Sequence, residues 1–296
     1  MTWWTLINPG AGNGSANVSI EQRVRSALAD HEVDAVINTT RSVDHLRELV
    51  RRGAAAGSTR FLAVGGDGTA SLVADALMRL PWTEPPTLGI LPAGSGSDYV
   101  RTFGFSQKLE EAVRHLTGSE TYLVDVGIIE GSWGIRHFLN AANIGVLGAT
   151  VKRAEQMSRR WGSLRYKLAF WLELPRFPRG PISLETERRT FEGDAITVVL
   201  ANGQYFGAGV NIAPRATLID GLLDVQVFTV SKSRIPLLYR KATRGLHLSD
   251  PGVERYRAGR ISIATDVPWP VEIDGDYLGE TPIEVSLLPG ALRFKI

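Results

Sequence analysis

Up to about residue 125, short apolar runs alternate with stretches whose apolar positions recur at helical spacing. "WTLIN" precedes a segment with Ile20, Val24, Ala27 and Leu28 on one face, and "DAVINTT" precedes Val43, Leu46, Leu49 and Val50. "RFLAVGG" precedes Leu72, Val73, Ala76, Leu77 and Leu80, and "TLGILPAG" is followed by Leu109, Ala112, Val113 and Leu116. Apolar strands without alternation, each followed by an amphipathic helix, predict a parallel sheet covered on both faces, that is, a doubly wound α/β domain. Beyond "VDVGIIEG" the rhythm changes to short strands bounded by Gly, Asp and Pro: "HFLNAANIG", "ISLETE", "DAITVVLANG", "LLDVQVFT", "RISIATD", "PVEIDGDYLG" and "IEVSLLPGALRFKI". Such a series predicts an antiparallel β-sandwich, interrupted by helix over 148–180. The expected organisation is therefore an α/β domain of residues 1–125, completed by a C-terminal strand at about 288–296, and a β-sandwich domain of residues 126–287. A cleft between the two is where a small ligand is expected.

Composition narrows the partners. With 44% hydrophobic residues the chain has ample material for a core, and a net charge of +2 is too mild to imply nucleic acid. The absence of cysteine excludes disulfides and thiolate metal sites and is consistent with a reducing cytoplasm. The amino-terminal "MTWWTLINPGAGNG" has no basic region ahead of its apolar run, and no apolar run approaches the roughly 20 residues of a membrane span.

Three glycine-rich stretches fall at the carboxyl ends of expected parallel strands, the edge at which such sheets bind ligands: "NPGAGNGSA", "GGDGT" and "PAGSGSD". Gly65, Gly66 and Gly68 can take positive φ and admit a ligand to the main chain, and Thr69 can cap the following helix, whose N–H groups suit a phosphate. Asp67 would orient a metal ion or bind a group beside the phosphates. One such loop alone is as readily a tight turn; three at one edge point to phosphate. Neither the Gly-Lys-Ser/Thr ending of a Walker A loop nor the dinucleotide GxGxxG pattern is present.

The series "INPGAGNG", "GGDGT", "LGILPAGSGSD", "LANGQYFGAGVNIAPRATLIDGLLDVQVF" and "EIDGDYLG" resembles the diacylglycerol kinase catalytic-domain family, which includes soluble bacterial lipid kinases and the sphingosine and ceramide kinases. The resemblance spans essentially the whole chain. It implies ATP over the first loop, near Asn8, Pro9, Gly10, Ala11 and Gly12, with Thr40 of "TRSVDHLREL" also in the nucleotide site. Gly65, Gly66, Asp67, Gly68 and Thr69 would hold the phosphates, with Ser95 where relatives often carry threonine. Asp67 and Asp98 become candidates for organising a catalytic Mg2+, although Asp98 can equally brace its own loop. Asp276 occupies the place of the family's proton acceptor, a glutamate, with Asp274 beside it; alone, Asp-Gly between strands reads as a hairpin turn. "RATLIDGLLD" is similar to a structural magnesium site in which Asp220 supplies the carboxylate and Thr217 and Leu222 supply carbonyls, the alternative being a plain turn.

The chain departs from the family pattern at Leu72, Ser97, Ala208 and Asp276, where glutamate, asparagine, glycine and glutamate are usual, leaving a slow, altered or lost activity open. A lipid substrate further implies docking at an anionic, inner-membrane surface, and "VKRAEQMSRRWGSLRYKLAFWLELPRFPRG" interleaves basic and aromatic residues as an interfacial segment does. Its alternative is a solvated cationic face with aromatics turned inward. A homodimer is compatible with the resemblance. The expected activity is ATP-dependent phosphorylation of a diacylglycerol-like lipid; its rivals are a soluble-substrate kinase related to the NAD kinases and a catalytically impaired binding homologue.

Overall fold

The computed structural model describes residues 2–10, 19–93, 97–162 and 164–296. The chain divides into two compact units, Met1–Asp125 with Pro289–Ile296, and Val126–Leu288.

The first unit alternates strand and helix: β1 (Trp3–Ile7), α1 (Ile20–Asp30), β2 (Ala35–Thr39), α2 (Val43–Ala55), β3 (Arg60–Gly65), α3 (Asp67–Met78), β4 (Thr87–Pro92), the short α4 (Asp98–Thr102) and α5 (Leu109–Ala112), and the start of β5 (Thr121–Gly131). β2, β1, β3 and β4 lie side by side and parallel, in that order. Consecutive side chains of a strand point to opposite faces, and both faces are covered here. Trp3, Leu62 and Val64 pack with Val24 and Leu28 of α1 and Leu109 and Ala112 of α5. On the other face Gly53 of α2 sits so close to Trp4 and Phe61 that a Cβ there would fall within 2.9 Å of each. The parallel, doubly covered sheet expected from the non-alternating strands is what forms. Its order reverses direction about β1 and β3, so their carboxyl ends mark the switch point.

The second unit contains the remainder of β5, then β6 (Gly134–Phe138), β7 (Ala141–Gly145), α6 (Val146–Gln156), α7 (Leu164–Glu173), β8 (Gly180–Thr186), β9 (Thr190–Ala195), β10 (Thr197–Ala201), β11 (Tyr205–Phe206), β12 (Val210–Asn211), β13 (Leu223–Phe228), α8 (Ile235–Ala242), β14 (Val253–Ala258), β15 (Arg260–Thr265), β16 (Pro270–Ile273), β17 (Asp276–Glu280) and β18 (Ile283–Lys295). Six strands form one sheet in the order β14-β13-β10-β7-β16-β17, antiparallel at every pairing. A second antiparallel layer runs β9-β8-β15 and the first residues of β18. Side chains of both layers, among them Ile144, Val198 and Val225 from one and Leu184, Ile263 and Val285 from the other, share one core, as in a β-sandwich. The end of β18 belongs to the first unit, where Arg293 and Phe294 lie parallel to Thr87 and Leu88 of β4. Within the stretch expected to be helical, 148–180, lie most of α6 and all of α7. α6 lies hard on β16: a Cβ at Gly148 would be 2.2 Å from the Pro270 carbonyl oxygen.

Candidate active site

In the first unit the carboxyl ends of β1 and β3 are tied together by side chains. Asn8, one residue past β1, donates from Nδ2 to Thr69 Oγ1 at 3.0 Å, and its Oδ1 accepts the Gly10 N–H at 3.0 Å. Thr40 follows β2 and is buried, its N–H and Oγ1 both donating to the Ile7 carbonyl. Asn8, Pro9, Gly10, Thr40 and the Gly65–Thr69 turn therefore share one edge of the sheet. Ala11, Gly12 and Ser95 lie outside the described residues.

The turn is built differently from the sequence expectation in two respects. None of Gly65, Gly66 and Gly68 has positive φ; Gly66 is extended at φ −96° and ψ −171°. Glycine at 65 is required by crowding instead, because a Cβ there would stand 2.4 Å from Thr69 Oγ1. Thr69 is not the cap of α3 either. Gly66 is the cap, and having no side chain it supplies no acceptor to the first-turn N–H groups, while Thr69 is buried one turn in and receives the Asn8 bond.

Asp67 opens α3, and its carboxylate accepts the Asp98 N–H at 2.8 Å and the Tyr99 N–H at 3.0 Å. It caps α4 from another helix, where the positive end of the peptide dipoles favours an anion. Asp98 is itself buried, with Arg101 Nε 3.4 Å from its Oδ1. The "GGDGT" aspartate thus ties two strand-to-helix turns together at the expected phosphate edge.

In the second unit the acids of "EIDGDYLG" divide into three environments. Asp274 and Gly275 form the tight link between β16 and β17, both in the left-handed region at φ 47° and 92°. The Asp274 carboxylate accepts three backbone N–H groups, from Leu139 at 2.9 Å and from Asn140 and Ala141 at 3.0 Å each. These bonds clamp the β6–β7 link to the β16–β17 turn, beside Asp276. The same link is held by Asn202 Nδ2, donating to the Leu139 carbonyl, while Asn140 Nδ2 donates to the Tyr205 carbonyl.

Asp276, the first residue of β17, is half-buried with Arg136 of β6 3.6 Å from its Oδ2. Burial pushes its carboxyl up to about 6, Arg136 opposes the rise, and the negative charges of Asp274 and Glu155 add to it. A carboxylate with that affinity for a proton is charged at neutral pH yet basic enough to accept one, the balance a general base needs.

Glu272 was not singled out from the sequence. It is 4% exposed, paired across the sheet with Asn143 of β7, whose Nδ2 donates to Oε1, and its Oε2 accepts the Gly275 N–H at 2.9 Å. Burial pushes its carboxyl up to about 8, against the two hydrogen bonds and reinforced by Asp274 and Asp276. Nothing in the sequence marks it out, because Val271-Glu272-Ile273 reads as ordinary apolar–polar–apolar alternation with the glutamate on the face away from the sandwich core.

At the "RATLIDGLLD" turn, Asp220 Oδ1 accepts the Leu222 N–H at 3.1 Å and Oδ2 pairs with Arg257; Thr217 is exposed. An arginine on the carboxylate is a poor fit to a bound cation, and no group of three or more His, Cys, Asp or Glu side chains that could hold a metal occurs among the described residues.

The helical segment supports neither of its two readings completely. Phe177 is buried and Phe170 packs on Tyr239, whereas Trp161, Leu164, Trp171 and Leu172 are exposed, between 37% and 54%. Lys152 and Arg153 are paired with Glu280 and Glu173. No helix among the described residues is long and apolar enough to cross a membrane.

Comparison with known families accounts for this combination of units. Residues 2–129 match the diacylglycerol kinase catalytic domain, and residues 140–295 match the YegS C-terminal NAD kinase beta sandwich-like domain. The chain belongs to the diacylglycerol kinase catalytic-domain family, within the lipid kinase class of enzymes. It is 30% identical to the diacylglycerol kinase of Mycobacterium tuberculosis over 97% of this chain and 93% of the relative. It is also 23% identical to a Citrobacter koseri protein named "Probable lipid kinase YegS-like", over 96% of this chain and 93% of that one. A crystal structure of a diacylglycerol kinase from Bacillus anthracis str. Sterne shares the fold with a TM-score of 0.76 at 24% identity, covering 99% of this chain and 96% of the other.

Proposed function

We propose that the chain transfers the γ-phosphoryl group of ATP to a hydroxyl of a diacylglycerol-like membrane lipid, with Asp276 accepting the hydroxyl proton. The lipid oxygen attacks the γ-phosphorus, the bond to the bridging oxygen breaks, ADP leaves and the proton passes to the carboxylate. Such transfer asks the protein chiefly for positioning and charge neutralisation. The observation that carries the reading is the placement of Asp276 beside Arg136, on a turn anchored by three backbone bonds to Asp274, where burial favours the protonated carboxyl. The nucleotide is assigned to the Asn8, Thr40 and Gly65–Thr69 edge of the first unit. Asp276 is an acceptor shortened by one methylene relative to glutamate, and a slow turnover is in keeping with it.

Magnesium would arrive with the triphosphate, neutralising its charge, and Asp67 and Asp98 on that edge would hold its water shell. A separate structural magnesium at Thr217, Asp220 and Leu222 would have to displace Arg257, so Arg257→Ala should raise Mg2+ affinity at that turn if the site exists. The lipid would be reached from an anionic membrane surface through the exposed Trp161, Leu164, Trp171 and Leu172 with Arg160, Lys167 and Arg176 around them.

Radiolabelled ATP incubated with mixed-lipid vesicles, and in parallel with NAD, tests the assignment. Label in a diacylglycerol-derived phospholipid supports it. Label in NAD alone would favour a soluble-substrate kinase, and ATP binding without transfer to any acceptor would favour an impaired homologue; either would displace the proposal.

A further inference from the structure

Glu272 and Asn143, a buried acid opposite a buried amide, share the sheet face that lies away from Ile144, Val271 and Ile273, in a row with Val199. Burying a carboxyl group costs several kcal/mol unless it is neutral and hydrogen-bonded. Two apolar residues of similar volume would pack there without that cost. The register of β16 against β17 shifts between Val271 and Glu272, an irregularity of the kind that re-aims side chains beside functional sites.

We propose that Glu272 is a positioning residue for phosphoryl transfer: its carboxyl, held by Asn143 and by the Gly275 N–H, fixes the Asp274–Gly275 turn and thereby the aim of Asp276. This rests on the reading of Asp276 as proton acceptor. The chain of contacts is short. Asn143 lies at the centre of β7, between β10 and β16. Glu272 spans from Asn143 to the turn, Gly275 is the residue immediately before Asp276, and Asp274 fastens the other side of the turn to Leu139–Ala141.

The neutral acid suits this place. Asn143 Oδ1 is buried without a hydrogen-bond partner among the described residues. A half-turn of the amide exchanges donor for acceptor, and Oδ1 then receives the proton of a carboxylic acid. The charged and titratable groups around the turn are Asp274, Asp276 and Tyr277 on the hairpin, Tyr277 lying directly across from Glu272, with Arg136 on β6 beside Asp276, and Glu155 and Lys152 on α6, where Glu155 Oε1 accepts the Tyr277 N–H and Lys152 Nζ lies over the Tyr277 ring. Ionised Glu272 would add a third negative charge to Asp274 and Asp276.

The test compares wild type with Glu272→Gln, Glu272→Leu and Asp276→Asn for kcat, for KM of ATP and of lipid, and for their pH profiles. The Gly275 amide shift is followed by NMR as a readout that needs no turnover. Glu272→Leu, which fills the volume but cannot hold the turn, should lower kcat about tenfold or more with KM for ATP unchanged. Glu272→Gln should restore most of that loss and abolish an alkaline fall in kcat near pH 8; the Gly275 shift should titrate there in wild type and not in Glu272→Gln. Unchanged kinetics in a folded Glu272→Leu, or an alkaline fall and amide titration that persist in Glu272→Gln, would overturn the positioning role. Should Glu272→Leu fail to fold, the Glu272→Gln profile decides. Full turnover in Asp276→Asn would instead overturn the acceptor assignment itself, so the two failures are told apart.

Discussion

Replacing Glu272 with glutamine should change how stability depends on pH more than it changes stability itself. In the fold the carboxyl holds its proton up to about 8, whereas an unconstrained glutamate releases it near 4.5. Between those values the folded chain binds more protons than the unfolded chain, and stability falls as pH rises. The cost is absent below about 4.5, grows through the neutral range and is complete above about 8. Integrating the two titrations from pH 5 to pH 8 puts this single site at roughly 3 kcal/mol, from 1.36 kcal/mol per pKa unit. Glutamine keeps an acceptor for the Gly275 N–H and a donor for Asn143 but has nothing to ionise. Urea unfolding followed by tryptophan fluorescence, at pH values from 5 to 8.5, measures the difference between the two proteins and cancels every other titrating group. The variant should gain on the wild type steadily with pH, from near parity at pH 5 to roughly 3 kcal/mol at pH 8. Parallel curves would refute a proton held by Glu272 in the folded state.

Other expectations follow from the same geometry. The acid limb of the activity profile should track Asp276: activity rises with pH through about 6 as the carboxylate forms, and Asp276→Glu should keep such a limb in kcat/KM while Asp276→Ala removes it. Asp67→Ala strips the cap from α4 and should cost about 1–2 kcal/mol in a thermal or urea melt, with earlier protease cleavage around residues 98–105. Gly148→Ala must push α6 off the Pro270 carbonyl and should lose about 1–3 kcal/mol, read in the same melts. Ala208 has φ 65° between two left-handed glycines, so Ala208→Gly should stabilise by up to about 1 kcal/mol in urea unfolding.

The first unit was legible because its strands are buried on both faces and its helices carry one clear apolar stripe, as with Val24, Ala27 and Leu28 of α1. β9 and β14 were not foreseen, and both are edge strands at the ends of their layers. With fewer packed neighbours, "TFEGDA" exposes every other residue through Asp194, "VERYRA" exposes Glu254 and Arg257, and both lack the apolar density that marks an interior strand. α8 was missed for its brevity: eight residues leave little room for a helical period to show.

The candidate site divides the same way. Glycine-rich turns and the Asp-Gly link are local patterns, so they could be found along the chain. What each acid does there depends on partners far off in sequence: Asp67 meets N–H groups 31 and 32 residues later, and Asp274 meets three more than 130 residues earlier. Glu272 and Asn143 are 129 residues apart and become a pair only through the register of β16 on β7. Spacing alone has no access to that register.

The most direct test of a lipid kinase using Asp276 as proton acceptor is the rate at which radiolabel passes from ATP to diacylglycerol in anionic vesicles, compared between wild type and Asp276→Asn at pH 7.5. Labelled phosphatidic acid is expected from the wild type, with a loss of at least about a hundredfold in the variant and ATP affinity retained. Equal labelling by the two proteins would exclude Asp276 as the proton acceptor.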